Sequence, residues 1–207
     1  MWKTSVLILG VLCLWAPGSF AAAVDAKELT ARSDKLMRGE TSFMKVDFTV
    51  KTPTWERSYQ METYFKGLDY TFVRTLSPAK YKNQTYLKIR EKMWQYLPRA
   101  EREVLIPSSM MLDQFLGSDF SNDDFVKSSY YARDYEQKLL GEEALDGHPA
   151  YKIENIPLPE APITYGKIIA WLRQSDAAPL KEEFYNDRGE LLKTQYYKEF
   201  KTFGDRE

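Results

Sequence analysis

Between Met44 and Ile106 the chain sets short aromatic and β-branched runs so close together that only turns fit between them. That spacing constrains the fold more than any other feature. Met44, Val46, Phe48 and Val50 alternate with Lys45, Asp47, Thr49 and Lys51, a period of two that puts the apolar set on one face of a strand. Further strands are expected at Trp55 to Phe65, Asp69 to Leu76, Thr85 to Ile89, Met93 to Leu97 and Arg102 to Ile106. Lys66-Gly67, Ser77-Pro78, Arg90-Glu91 and Pro98-Arg99 are where the chain can reverse. Parallel pairing needs a crossover of about a dozen residues, so this segment reads as an antiparallel meander.

Before the meander, Asp25 followed by Glu28 has the form of a helix cap, and Leu29, Leu36 and Met37 recur at helical spacing up to Gly39. After it the rhythm breaks. From Ser108 to Tyr131 the apolar residues Met110, Met111, Leu112, Phe115 and Leu116 cluster without alternation, which predicts one or two short helices over an open edge. Strands are expected again at Asp134 to Leu140, Ala150 to Ile156, Gly166 to Leu172, Leu180 to Tyr185 and Leu191 to Phe200. Asp146-Gly147, the proline-rich stretch Pro157 to Pro162 and Asp187-Arg188-Gly189 separate them. One strongly bent antiparallel sheet with a helical cover is the economical architecture, an α+β fold that is mainly antiparallel β.

The first 23 residues read as an export signal: Lys3, the apolar run Val6 to Trp15, the break at Pro17-Gly18, and Ala21-Ala22-Ala23 for cleavage. The run falls short of the ~20 apolar residues that span a bilayer. Residues 24–207 are expected to form one domain. Cys13, the single cysteine, lies inside the apolar run and is preceded by Val11-Leu12 rather than by the small residues of a lipid-attachment site. A mature chain without cysteine has no disulfide, thiol nucleophile or thiolate metal site. With 29 basic and 30 acidic side chains evenly mixed, no basic block marks a nucleic-acid surface, and a diffusing monomer is expected.

Catalytic patterns fail one by one. His148 is the only histidine and sits in the turn Asp146-Gly-His-Pro149, so no histidine cluster forms and an exposed corner is expected. Ser108 and Ser109 lack the Gly-x-Ser-x-Gly elbow of a lipid hydrolase, and no glycine loop cradles a phosphate. Ser118, Asp119, Ser121, Asp123 and Asp124 offer oxygen ligands, but the twelfth position of an EF-type loop holds Tyr130 instead of glutamate. Helix capping by Ser121, with Asp123 and Asp124 in the first turn, accounts for the same residues. No cofactor or metal is expected.

Several phrases carry a family likeness: Lys92-Met-Trp-Gln-Tyr-Leu-Pro98, Ile106-Pro-Ser-Ser-Met-Met111, Leu116-Gly-Ser-Asp-Phe-Ser-Asn-Asp-Asp-Phe-Val126 and Ala161-Pro-Ile-Thr-Tyr-Gly-Lys167. Together they resemble the outer-membrane lipoprotein-sorting (LolA-like) proteins. The resemblance implies an incomplete, unclosed β-barrel with an N-terminal helix and a helical lid. It further implies a non-enzymatic periplasmic carrier of lipoprotein acyl chains or another lipid, loaded by an inner-membrane transporter of the ABC or RND type and relieved by an outer-membrane acceptor. An accessory subunit that docks on an RND-type exporter and binds no lipid is the alternative. Where the best-known carriers hold the lid with an arginine before a turn, this chain has Lys66 in Phe65-Lys66-Gly67-Leu68, so a latch should be weaker or built differently. Family members usually run past the position of Glu207, which would make this chain a shortened one with an unpaired edge near Leu191 to Phe200.

The expected lipid lining comprises Met44, Val46, Phe48, Met61 and Phe72, the alternating pairs Trp94 with Tyr96 and Ile169 with Trp171, and the lid residues Met110, Met111, Phe115 and Leu116. Methionine suits a lid that repacks around a flexible chain, being unbranched and polarizable. For each of these positions the plain alternative is a permanently filled core.

Overall fold

The computed structural model describes residues 24–67, 69–90, 92–111, 113–122, 124, 131–159, 161 and 165–201. The expected export signal, residues 1–23 with Cys13, lies outside the described residues. Helix α1 (Ala26–Arg38) starts where expected, since the Asp25 carboxylate accepts from the backbone N–H groups of Lys27 at 2.8 Å and Glu28 at 3.2 Å. Gly39, at φ 62°, ends it and donates its N–H to the Lys35 carbonyl. Among the described residues no helix is long and apolar enough to cross a membrane.

Six strands follow in unbroken antiparallel order: β1 (Thr41–Lys51), β2 (Glu56–Lys66), β3 (Tyr70–Ser77), β4 (Thr85–Ile89), β5 (Lys92–Leu97) and β6 (Arg102–Ile106). Five more form a second meander: β7 (Tyr135–Leu145), β8 (His148–Pro157), β9 (Lys167–Arg173), β10 (Pro179–Tyr185) and β11 (Leu191–Tyr196). Short helix α2 (Tyr131–Asp134) leads into β7. The single bent sheet expected from sequence is therefore two, because β6 and β7 do not pair. The β7–β8 hairpin is longer than its composition predicts: Glu142, Glu143 and Ala144 are poor strand formers, yet they are held opposite Tyr151, Ala150 and Pro149. β11 stops at Tyr196, short of Phe200. His148 is an exposed residue at the start of β8, next to the β7–β8 turn, as expected.

Register fixes which side chains share a face. In the first sheet Val46 stands opposite Met61 and Phe48 opposite Tyr59, while Val73 stands opposite Thr63 and Tyr86, and Met93 opposite Lys88 and Ile106. These residues line one face, whose core is Val50, Tyr59, Met61, Val73, Tyr86, Met93 and Phe115. The central strand β9 of the second sheet is buried on both faces. Ile153, Ala170 and Leu172 pack under Ala26 and Leu29 of α1, whereas Ile169, Trp171, Ala150 and Leu180 cluster on the far side.

Candidate functional site

Among the described residues, the inner face of the first sheet is covered by a short connecting segment. This segment contains single turns of 3-10 helix at Ser108–Met110 and Phe115–Gly117. Phe115 is 1% exposed and inserts between Tyr86, with ring centroids 5.1 Å apart, and Phe48, at 6.2 Å. Met111, Leu116 and Phe120 pack around it. Under Phe115, the Tyr86 hydroxyl accepts from Gln84 Nε2 at 2.6 Å and Gln95 Nε2 at 3.1 Å, and burial pushes its pKa up to about 12, so it stays neutral. The insertion depends on a strained reversal. Leu116 sits at φ 54° and Gly117 at φ 78°, and a Cβ on Gly117 would lie 3.4 Å from the Trp55 ring.

A latch ties this cover to the second sheet. Ser121 and Asp124 bond reciprocally: the Ser121 N–H donates to the Asp124 carboxylate at 2.8 Å, and the Asp124 N–H donates to Ser121 Oγ at 3.0 Å. The sequence signal of a Ser121 cap is thus realised. The same carboxylate lies 2.7 Å from Lys193 Nζ on β11, and the Tyr165 hydroxyl is 2.8 Å from both of its oxygens. The Lys193 and Asp124 side chains are only 9% and 12% exposed. The ammonium also stands over the rings of Phe184 at 4.3 Å, Phe120 at 4.8 Å and Tyr165 at 5.1 Å. Tyr165 is held in place by its neighbour Gly166, where a Cβ would lie 2.7 Å from the backbone of Asn186 and Asp187 in the β10–β11 turn. Lys66, by contrast, is exposed at the end of β2, so the latch is built from other residues.

Beside the latch, Gln114, Asp119, Phe120, Ser121, Tyr165, Leu192 and Lys193 surround a cleft of about 160 Å³. Behind it lies a buried acid. Glu182 on β10 accepts from the Tyr197 hydroxyl at 2.8 Å and is also hydrogen-bonded to Tyr131 of α2. Burial raises its pKa to about 7, against the opposing pull of those hydrogen bonds, with the Asp34 charge on α1 adding to the rise. Burial also drives the Tyr131 hydroxyl well above its ordinary value.

The residues expected to line a lipid site divide between two faces. Val46, Phe48 and Met61 share the inner face with Phe115, Met111 and Leu116. Met44 is on that face too, but exposed, and Met110 is exposed at the edge of the cover. Phe72, Trp94 and Tyr96 point the other way, because the register aligns Phe72 with Tyr64 and Leu87, Trp94 with Leu87, and Tyr96 with Thr85. Ile169 and Trp171 also leave the inner set. The Trp171 ring lies between Lys181 at 4.3 Å and Lys152 at 4.7 Å, and its N–H donates to Glu143 at 3.1 Å. Sequence reading missed Lys193 and Glu182, and Phe120 was visible only inside the Leu116 to Val126 phrase. Tyr165 was visible only inside the Ala161 to Lys167 phrase.

Among the described residues, eleven antiparallel strands in two unjoined meanders, with helices and an apolar cover on the inner side, define an open-barrel fold of the LolA superfamily type. The solved structure of a LolA superfamily protein from Nitrosomonas europaea is similar at TM-score 0.74 and 26% identity, over 89% of this chain and 82% of that one. A Vibrio parahaemolyticus protein described as an outer membrane lipoprotein-sorting protein domain is similar at TM-score 0.76 and 24% identity, over 87% and 80% of the two chains. A DUF1329 family protein from Desulfovibrio piger gives TM-score 0.73 at 23% identity over 80% and 74%. Residues 67–207, more than half of the chain, match a family model whose description reads only "-like: Uncharacterized protein", and the chain belongs to that family. No curated protein matches significantly.

Proposed function

We propose that this chain is a periplasmic carrier that shelters the acyl chains of a lipoprotein or related lipid and releases them toward the outer membrane. The observation that carries the reading is Phe115. The inner face of the first sheet is closed by one buried ring and its neighbours on a connecting segment, a plug that a lipid chain can replace with like contacts. With Phe115 buried against Tyr86 and Phe48, a chain that enters the inner face has to displace the cover. Burying each methylene yields ~0.8 kcal/mol, which would hold a long chain too tightly for release. Reinsertion of Phe115, Met111 and Leu116 against Val46, Phe48 and Met61 recovers part of that energy in the empty state and keeps the affinity moderate.

In this reading the carrier is a monomer without cofactor or catalytic role. An inner-membrane transporter of the ABC or RND type supplies the energy at loading, and an outer-membrane acceptor unloads. The test is to purify the chain after export, identify the extracted lipids by mass spectrometry, and titrate with a fluorescent fatty acid. Co-purified acyl lipid and saturable binding are expected. An empty protein that rejects the probe would leave the docking subunit of an RND-type exporter as the better account.

A further inference from the structure

The latch between the cover and the second sheet has its two halves on parts of different freedom. Asp124, bonded reciprocally to Ser121, belongs to the connecting segment. Lys193 belongs to β11, and Tyr165 to the corner that Gly166 wedges against the β10–β11 turn. The cation is buried: its side chain is 9% exposed, and the Phe184 and Tyr165 rings lie 4.3 Å and 5.1 Å from the ammonium.

Acyl carriage, on which this inference rests, requires the cover to leave, and Asp124 leaves with it. Asp119, the other acid beside the cleft, is on the cover too. An ammonium is then stranded among rings, and a buried charge without its partner is costly. The neighbouring acid of the frame does not replace Asp124. Glu182 stands one pair along the same face, since Phe184 is opposite Lys193 and Gln195 opposite Glu182. It is engaged by the Tyr197 and Tyr131 hydroxyls, and burial lifts its pKa to about 7, which keeps it mostly protonated in mildly acidic solution. The opened site therefore presents one uncompensated positive charge and one hydroxyl donor, the pair that in the closed form holds both oxygens of the Asp124 carboxylate.

Position links this charge to the acyl bed. The Phe120 ring lies 6.0 Å from Phe48, which is itself 6.2 Å from the Phe115 plug, and 4.8 Å from the Lys193 ammonium. Lys193, Tyr165 and Phe120 also line the cleft of about 160 Å³ beside the latch. A head group at Lys193 thus continues into a tail that runs over Phe48, where Phe120 and Phe115 pack in the closed form. We propose that Lys193 and Tyr165 are the head-group seat of the carrier, taking the carboxylate or phosphate of an anionic acyl lipid in the place of the Asp124 carboxylate. The head replaces Asp124 and the tail replaces Phe115, so loading exchanges like contacts for like at both ends. Among acyl lipids, the seat selects those with an ionised head over neutral ones.

The experiment titrates the chain, purified after export, by calorimetry at about pH 6, below the Glu182 pKa of about 7, with dodecyl phosphate, dodecanol and inorganic phosphate. Wild type binds dodecyl phosphate about tenfold more tightly than dodecanol, the effect of one charge-assisted contact, and inorganic phosphate alone does not bind. Asp124→Asn removes the competing carboxylate and widens that preference severalfold. The double variant Asp124→Asn with Lys193→Met, which leaves no unpaired charge at the latch, binds the two amphiphiles alike. Equal binding of both by wild type, or a preference that survives in the double variant, overturns the head-group seat while acyl carriage stands. Saturable binding of inorganic phosphate overturns it in favour of a free-anion site. Binding of neither amphiphile removes carriage and the seat with it. Should the double variant fail to fold by circular dichroism, Asp124→Asn decides alone: a widened preference supports the seat, and an unchanged one overturns it.

Discussion

The two sheets treat their apolar residues in opposite ways. In the second, the central strands are finished on both faces, since α1 covers Ile153 and Ala170 while Lys152 and Lys181 roof Trp171 on the other side with Phe200 nearby, and exposed apolar residues such as Leu140, Leu191, Leu192 and Tyr196 are left to the edge strands. In the first, the inner face is closed by the buried Phe115 ring and the outer face leaves Phe43, Tyr64, Leu87 and Leu105 exposed. The second sheet looks like a frame and the first like a working surface. A stable protein can leave one sheet unfinished only if the other holds the fold, which is the division that substitutions can probe.

The largest effects should come from Phe115→Ala and Ile153→Ala. Each removes a fully buried side chain, and each should lower the unfolding free energy in urea by about 2–5 kcal/mol. They should part in fatty-acid titrations, where Phe115→Ala binds more tightly and Ile153→Ala is unchanged. Equal shifts in both would erase the contrast between the sheets. Next comes Lys193→Met, which leaves the Asp124 carboxylate nearly buried without its cation and should destabilise by about 3 kcal/mol. Hydrogen exchange should rise in residues 113–122 before it rises in the second sheet, and uniform opening would deny that the cover moves separately.

Glu182→Gln sharpens the role of the frame through pH. The folded pKa of about 7 exceeds the ordinary value of 4.5, so the folded state binds the proton more tightly. Stability from this group is therefore intact below about pH 4.5 and is lost as pH rises through 7. The glutamine variant should match wild type at pH 4 and exceed it by up to about 3 kcal/mol at pH 8, measured by thermal unfolding. The smallest change is Gly117→Ala, whose left-handed backbone and contact with Trp55 should cost about 1 kcal/mol and speed fatty-acid uptake in stopped flow.

Much of the fold was legible because its signals are local. Asp25 caps α1, the period of two marks β1, and Thr85 to Ile89 and Arg102 to Ile106 are strands with the expected bounds. The site was legible only where one face of a strand is polar. Met44, Val46 and Phe48 were placed on the inner face because lysine, aspartate and threonine alternate with them. On β3, β5 and β9 large apolar residues occupy both faces, Phe72 beside Val73, Trp94 beside Met93 and Ile169 beside Ile168, so alternation does not say which set points in. The choice of Phe72, Trp94, Tyr96, Ile169 and Trp171 fell on the outward set. Lys193 carried no signal because its partner Asp124 lies 69 residues away.

Gly166 adds a mechanical consequence. With its missing methylene already occupied by the backbone of the β10–β11 turn, the corner that carries Tyr165 has no slack, and the hydroxyl facing Asp124 is anchored to the same turn that leads into Lys193. Half of the clasp is therefore an anvil. In the proposed carrier the moving part is therefore the other jaw, hinged near Leu116, while the strike plate stays where it stands.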